Sequence, residues 1–373
     1  MRNNILGIVN LHDCPHLGPL TMKRPTGATT FLGRYGLMDF TLSNLSNSGV
    51  DKVVVLAESN YRSVRNHLRS GQVWVNNTKL GFQHILTNEA LLSVSKFNTD
   101  IANLLANKNV FYENQPEYII VAPVFFLMSY DFNDLIDKHI ASGADITMLC
   151  KHIDNSDKEF VNCDAITLDE NGMITEFYTN TGRKKEVDIS LETYVINTGT
   201  LLEICNKQKD VSLLYSLRQM INHMTRNGEL KVDSVFFDGY VVPILSFEHY
   251  VRHSFDLLDY KKRMLIFKED WPIYTTTHNT PPALYGDHAI VSNSFIANGC
   301  VIKGKVKNSI LSRDIVVGEG AVVENCIIFT GTEIGANVKL KYVVTDKYSI
   351  IKEVKKIVRE KDDILYIGKG ERV

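Results

Sequence analysis

The side chains able to do chemistry are spread along the chain rather than gathered in one string. His12, Cys14 and His16 alternate, and alternate residues on an extended segment share a face, as metal ligands require. Pro15 interrupts that geometry and no fourth ligand follows, so the expectation is an ordinary loop. His249 and His253 stand four apart, the spacing of one helix face, without the HExxH pattern that would add a general base; a structural role is expected. Phe125, Phe126, Tyr130 and Phe132 could stack a nucleobase, but they follow an apolar run directly, which favours core or interface packing. Lys303, Lys305 and Lys307 alternate as well: a face for an anion or an acidic partner, or, more simply, a solvated one. Six cysteines (Cys14, Cys150, Cys163, Cys205, Cys300, Cys326) include no CxxC pair, which argues for reduced thiols over a zinc knuckle or disulfide framework.

The elements that must position these groups divide into two patterns. With 373 residues, 44% of them hydrophobic, the chain can bury a sizeable core and is long enough for two domains. Lysine and arginine total 41 against 43 acidic residues, so no general field draws a nucleic acid or an anionic membrane, and neither is expected as a partner. No early apolar run has the length of a signal peptide or membrane span, and a cytoplasmic location is expected. Residues 5–11, 52–57 and 118–122 read as buried strands, each followed by polar helical stretches, which predicts a mostly parallel βαβ sheet. A helix is predicted over 39–48. Strands meander through 166–200 around the turn at 169–172, followed by a helix over 211–227 with Leu213, Leu214, Leu217, Met220 and Ile221 on one side, and a last helix over 247–259. Residues 260–282 carry three of the nine prolines and read as a linker.

Beyond the linker the period becomes six. Ile290, Ile296 and Ile302 set one register and Ile310, Val316, Val322, Ile328, Ile334 and Leu340 a second, after a two-residue insertion. Gly299, Gly304, Gly318, Gly320 and Gly335 lie between them, where tight corners call for positive φ. Six residues are too few for a helix and a strand but suit one flat face of a triangular parallel β-helix with the aliphatic residues stacked inward; the alternative is an antiparallel sandwich with accidental spacing. Solenoid ends and faces need a cap or a partner, so oligomerisation is expected, with residues 352–361 as a charged helix or irregular cap.

Several strings carry a resemblance. PLTMKRP at 19–25, DFTLSNLSNSGV at 39–50 and NSFIANGCVIKGKVKNSILS at 293–312 resemble ADP-glucose pyrophosphorylase (glucose-1-phosphate adenylyltransferase) over nearly the whole chain. YRSVRNHLRSG at 61–71 and HSFDLLD at 253–259 look closest to the regulatory, D-type paralogue that accompanies the catalytic subunit in some bacteria. The resemblance implies an α/β fold: a nucleotidyltransferase-like domain over 1–260 with a mostly parallel sheet and flanking helices, a linker over 261–282, and a left-handed parallel β-helix of hexapeptide repeats over 283–373.

The family's chemistry needs a glycine-rich loop for a triphosphate, carboxylates for Mg²⁺, and cations for the phosphates. Where the family has GGxGxR, this chain reads Asn10, Leu11, His12, Asp13, Cys14, Pro15 and His16, without a glycine. The family's KRAKP becomes Lys23, Arg24, Pro25 and Thr26, losing the second lysine; its GDHIY becomes Pro123, Val124, Phe125, Phe126 and Leu127; and Pro243 falls at the second metal aspartate. Valine and proline cannot ligate Mg²⁺. Asn180 replaces a sugar-phosphate lysine, and Glu192 a glycine of the sugar pocket. The resemblance therefore implies a chain with no catalytic or metal-binding residues and no cofactor of its own, Mg²⁺ serving a catalytic paralogue in a heterotetramer. It also implies that Lys23 and Arg24 contact a phosphorylated glycolytic effector, the alternative being solvated surface charges. Two further expectations are weighed: an active adenylyltransferase whose metal site recruits Asp13, Asp131 or Glu192, and an acyltransferase using His288.

Overall fold

In the computed structural model, which describes residues 4–91 and 95–373, the first apolar run forms the strand Ile5–Asn10. It pairs in parallel with Lys52–Leu56 on one side and Tyr118–Ala122 on the other. These strands are continuous apolar runs because both faces are covered: Val9, Val53 and Val55 enter one cluster and Leu6, Ile8 and Val54 the other. The nine-stranded sheet runs Phe82–Leu86, Lys52–Leu56, Ile5–Asn10, Tyr118–Ala122, Val187–Asn197, Ile146–Ile153, Val232–Phe236, Met173–Thr179, Asp164–Leu168. It is mixed, not mostly parallel: four of its eight neighbouring pairs are parallel and four antiparallel. The meander is responsible, since Val187–Asn197 enters antiparallel between two strands that would otherwise extend the βαβ pattern.

The predicted helix over 39–48 is Met38–Asn47, almost wholly buried. The helix expected over 211–227 begins only at Leu217, where Ser216 and Gln219 form a capping box, and ends at Arg226. Leu213 and Leu214, expected on its apolar side, are exposed in the turn before it. A second helix, Thr198–Val211, leads straight out of the preceding strand; Leu201, Ile204, Cys205 and Gln208 give it a buried face at helical spacing.

Residues 261–282 are not a free connection. The short helix Tyr260–Met264 opens the segment, Trp271 Nε1 donates to Asn44 Oδ1 at 2.8 Å, the Tyr274 amide to Ser43 Oγ at 2.8 Å, and Thr276 Oγ1 to the His67 carbonyl at 2.6 Å. The linker is strapped along the first domain.

From Leu284 onward the chain winds into three parallel sheets of five strands each. One coil takes seventeen residues where the pattern settles, as the column Leu311, Ile328, Thr345 shows. The inward columns are Ile302, Val317, Ile334, Ile351 and Val306, Val323, Leu340, Ile357. The expected six-residue step thus holds from Leu311 to Val317 and on to Val323, but the step to Ile328 is one shorter, so the positions at 310, 316 and 322 fall one residue early: Val316 is 39% exposed and Ile290 55%. Ile310 hid the slip, because it is buried on the outer face against the first domain while Leu311 points inward. Among the glycines, Gly299 and Gly320 do adopt positive φ, of 80° and 68°. Gly304 serves close approach instead: a Cβ there would lie 2.3 Å from the Ala321 carbonyl oxygen of the next coil. Asn308, Asn325 and Asn337 take several of the left-handed corners. Residues 352–361, expected as a helix or cap, contribute the strand Lys356–Val358 to the last coil.

The solenoid docks through the outward residues of one sheet. Ile310, Ile327 and Val344 share a cluster with Leu17, Phe31, Phe40, Tyr250 and Leu257 of the first domain. Across the same seam both oxygens of Asp346 accept from Arg24 Nη2, at 2.6 and 2.7 Å; Tyr366 donates its hydroxyl to Asp346 at 2.7 Å, and the guanidinium carbon lies 5.8 Å from the centre of the Phe329 ring. Both partners are buried. Asp346→Ala should therefore cost about 3–5 kcal/mol in urea unfolding, because a buried guanidinium loses its counter-charge, while the charge-free pair Arg24→Met with Asp346→Leu should recover most of it.

Candidate functional site

In an open α/β sheet, ligands bind beyond the carboxyl ends of the parallel strands, here the loops after Asn10 and Ala122. Both ends are closed by apolar packing. Leu11 donates its amide to the Leu56 carbonyl at 3.0 Å and turns its side chain inward, 2% exposed. A Cβ on Gly27 would lie 2.7 Å from Leu11 Cδ2 and 3.4 Å from Val124 Cγ2, so these residues fill one small volume together with Met38. Gly27 is there to let Leu11 in.

His12 does not join Cys14 and His16. It is buried, with Nδ1 3.1 Å from the Asn98 carbonyl oxygen and Nε2 3.1 Å from Asn103 Nδ2, and burial pushes its pKa down. His16 is exposed, and the Cys14 thiol, its pKa pushed up by burial, turns back toward the Asn10 carbonyl. All six cysteines are free thiols.

Asn10, which ends the first strand, donates to Asp100 Oδ2 at 2.8 Å, while Asp100 Oδ1 accepts from the amides of Ile101 and Leu217 at 2.8 and 2.9 Å. Burial, with the Asp13 charge adding, pushes the Asp100 carboxyl up to about 6. Glu192 stands in a bulge of the Val187–Asn197 strand at φ 49°, a region that favours glycine. Arg218 Nη1 lies 3.4 Å from Glu192 and 3.4 Å from Asp164. Burial pushes Glu192 up to about 7 despite that guanidinium. What remains of the cleft is about 20 Å³, lined by Asn10, His12, Asp100, Glu192 and Arg218 among others, room for about one water.

At the two positions assigned to metal carboxylates the chain forms a small antiparallel pair, Phe126–Leu127 with Val242–Pro243, closed by the Ile244 amide donating to the Phe125 carbonyl at 2.7 Å. Val124, Val242 and Ile244 are fully buried. An apolar contact of this kind does not fit a divalent cation, which requires hard oxygen donors. Asp131 caps the helix Phe132–Ser142 from an exposed position, and Asp13 is exposed in the first loop. Asp13 borders the residual cleft beside Pro123, Phe125 and Glu192, whereas Asp131 is not among its lining residues. Asn180 donates to the carbonyls of Ser156 and Phe160 at 3.0 Å and accepts from the Gly182 amide, holding a loop.

The aromatic group is core: Phe125, Phe126, Tyr130 and Phe132 are all buried, with Phe126 stacked on Phe160 at 5.7 Å. His253 lies 3.8 Å from Glu159 and 3.6 Å from Asp256. The exposed Lys305 and Lys307 share one outer sheet face with Lys339, Lys341 and Lys356, which the linear spacing did not reveal. His288 is exposed. The structure separates Lys23 from Arg24: the lysine is in solvent and the arginine faces Asp346, with its Nη1 buried and unpartnered. The acid that holds Arg24 is 322 residues away, beyond any local signal.

This architecture, a nucleotide-type sheet joined to a hexapeptide solenoid, is that of the nucleotidyl transferases, and the chain belongs to that family: the nucleotidyl transferase model matches residues 15–240, and a GlmU-like C-terminal hexapeptide model matches 282–363. Among curated relatives, the glycogen biosynthesis protein GlgD of Geobacillus stearothermophilus is 30% identical over 325 residues, spanning 87% of this chain and 84% of its own. A glucose-1-phosphate adenylyltransferase of Bacillus cytotoxicus is 27% identical over 360 residues, 95% of each chain. No helix among the described residues is long and apolar enough to cross a membrane.

The raised carboxyls set a pH dependence. Glu192 goes from 4.5 to about 7 and Asp100 from 3.8 to about 6, so in that window the folded chain holds protons that the unfolded chain has released. Their contribution to stability falls as pH rises through the window and is level above it. Melting temperatures of the wild type and Glu192→Gln, compared from pH 5 to pH 8 at roughly unit steps, should diverge in the variant's favour up to about pH 7 and run level beyond it; a constant difference throughout would contradict the assignment.

Proposed function

We propose that this chain is a non-catalytic, regulatory subunit of glucose-1-phosphate adenylyltransferase in glycogen synthesis, acting on a catalytic paralogue that makes ADP-glucose from ATP and glucose 1-phosphate. The observation that carries the reading is the apolar packing of Leu11 and Val124 at the end of the central strands, with Pro243 paired to Phe126 where a metal carboxylate would be needed. Adenylyl transfer runs through a phosphorus centre whose charge must be neutralised by cations, and side chains without oxygen donors cannot hold them. The family membership and the names of its relatives support the pathway.

No cofactor is assigned to this chain; Mg²⁺ belongs to the catalytic partner. Regulation then means that association, in a hetero-oligomer, favours one state of the partner over another by a difference in binding free energy. Lys23 and Arg24 are the assigned contacts of a phosphorylated effector, and Arg24 holds Asp346 through Nη2 while its Nη1 has no partner. Effector binding and the seam between domains are thereby coupled.

The test is ADP-glucose formation with Mg²⁺ by this chain, by a catalytic paralogue, and by the two mixed. Silence of the lone chain together with altered kinetics of the mixture is the expected result. Turnover by the lone chain, or a mixture identical to the paralogue alone, overturns the proposal.

A further inference from the structure

A groove of about 790 Å³ lies between the helix Phe247–Asp256 and the later coils of the solenoid. Its solenoid wall includes Asn325, Tyr342 and Ile364, which stand just before the strands Ile327–Ile328, Val343–Thr345 and Leu365–Ile367 of the docked sheet. Asp346 stands just after the second of these strands, so the groove runs along the opposite edge of that sheet from the Arg24–Asp346 pair. We propose that this groove binds an α-glucan chain, its sugar rings against the aromatic walls and its hydroxyls on the acid and amide groups of the rim. The class of sugar rests on the reading of this chain as a glycogen-synthesis protein.

The charges of the groove disfavour a phosphate. Arg252, which lines it, donates from Nη2 to the Glu159 carboxylate at 2.7 Å and is thereby neutralised. His249 is uncharged at neutral pH, because burial and then Arg252 push its pKa down. Glu248, its carboxyl pulled down by the Ser246 hydroxyl, stays ionised. Asp363 pairs with Arg359 at 3.3 Å; among the described residues Glu248, Asp362 and Lys361 have no ion-pair partner, which sets two free acids against one exposed ammonium. A rim of that balance does not attract an anion.

Hydrogen-bonding capacity is left over on the same walls. Among the described residues the side chains of Asn325 and Asp362 and the hydroxyl of Tyr342 make no hydrogen bond within the protein. Together they offer both donors and acceptors, the mixture that a polyhydroxyl ligand requires. Phe247, Phe255 and Tyr342, each half-buried, bring ring surface from both domains. The negative face of an aromatic ring attracts the polarised C–H groups of a pyranose, while flanking polar groups take its hydroxyls. At this volume the groove takes a ligand of several rings rather than a monosaccharide. An occupied groove anchors the subunit at the polymer for which its partner makes the precursor.

The test is calorimetry on the full chain with maltoheptaose, cellohexaose and glucose as separate probes. Maltoheptaose is expected to bind, with the other two weaker by about ten-fold or more, since neither can make the full set of ring and hydroxyl contacts. Phe255→Leu keeps apolar volume without the ring, and Asn325→Gly removes the amide while tolerating the position's φ of 52°. Each variant, shown to be folded by its melting transition, should weaken maltoheptaose by about three-fold or more. Lys339→Gln, on another outer face of the solenoid, should leave it unchanged. Absence of maltoheptaose binding, or binding indifferent to both groove variants, overturns the site, and in the latter case loss of association with the catalytic paralogue would make the groove a subunit contact instead. Cellohexaose or glucose binding as tightly as maltoheptaose overturns the α-glucan assignment. Binding is read on the lone chain, so its failure is separate from a failure of the regulatory reading, which shows in the kinetics of the mixture.

Discussion

The packing of Leu11 against Val124 and Gly27 is the contact from which the rest of the first domain's character follows. It closes the carboxyl end of the central strands with hydrocarbon at the point where an α/β sheet otherwise offers backbone amides to a phosphate. With Leu11 inward, the loop turns at Asp13 (φ 53°) and sends His12 into the Asn98–Asn103 segment, where both ring nitrogens meet polar partners. Asn10 is drawn to Asp100, and Asp100 in turn satisfies the first amide of the Leu217–Arg226 helix. One apolar contact and two buried polar links therefore bind strand, loop and helix into a floor without a ligand-sized void.

The solenoid solves a different problem. A triangular coil buries one side chain per face inside and leaves the outer positions to water or a neighbour. Here the three faces differ. One carries Ile310, Ile327 and Val344 and is spent on the first domain; another carries a row of lysines. The Arg24–Asp346 pair sits in the first of these seams, next to Phe329 and Tyr366, so the two domains are joined by a desolvated charge as well as by area. A buried ion pair contributes little net stability against an apolar substitute, but it penalises any relative shift of the two domains that would part the charges.

Much of this was legible in the sequence, and the exceptions have physical causes. The apolar strands, the Met38–Asn47 helix, the six-residue period and the replacements at Leu11, Val124 and Pro243 are all local in sequence, where pattern and residue chemistry act directly. The phase of the β-helix was not, since adjacent Ile310 and Leu311 are both buried, one outside the coil and one inside, and periodicity cannot distinguish two kinds of burial. The helix Thr198–Val211 escaped notice because the long strand runs into it without a break. Arg24's partner and the row of lysines depend on residues far apart in the chain.

The polar residue of the old cleft decides what it can still accept. Asp164 and Glu192 share a single Arg218 with Asp100 nearby in the cleft, and all three carboxyls are raised by burial, Glu192 to about 7 and Asp100 to about 6. A sugar phosphate entering there would meet acids competing for the same guanidinium, and its own negative charge would raise those pKa values further. Opening space would also mean parting Leu11 from Val124. Electrostatics and packing thus oppose the same event.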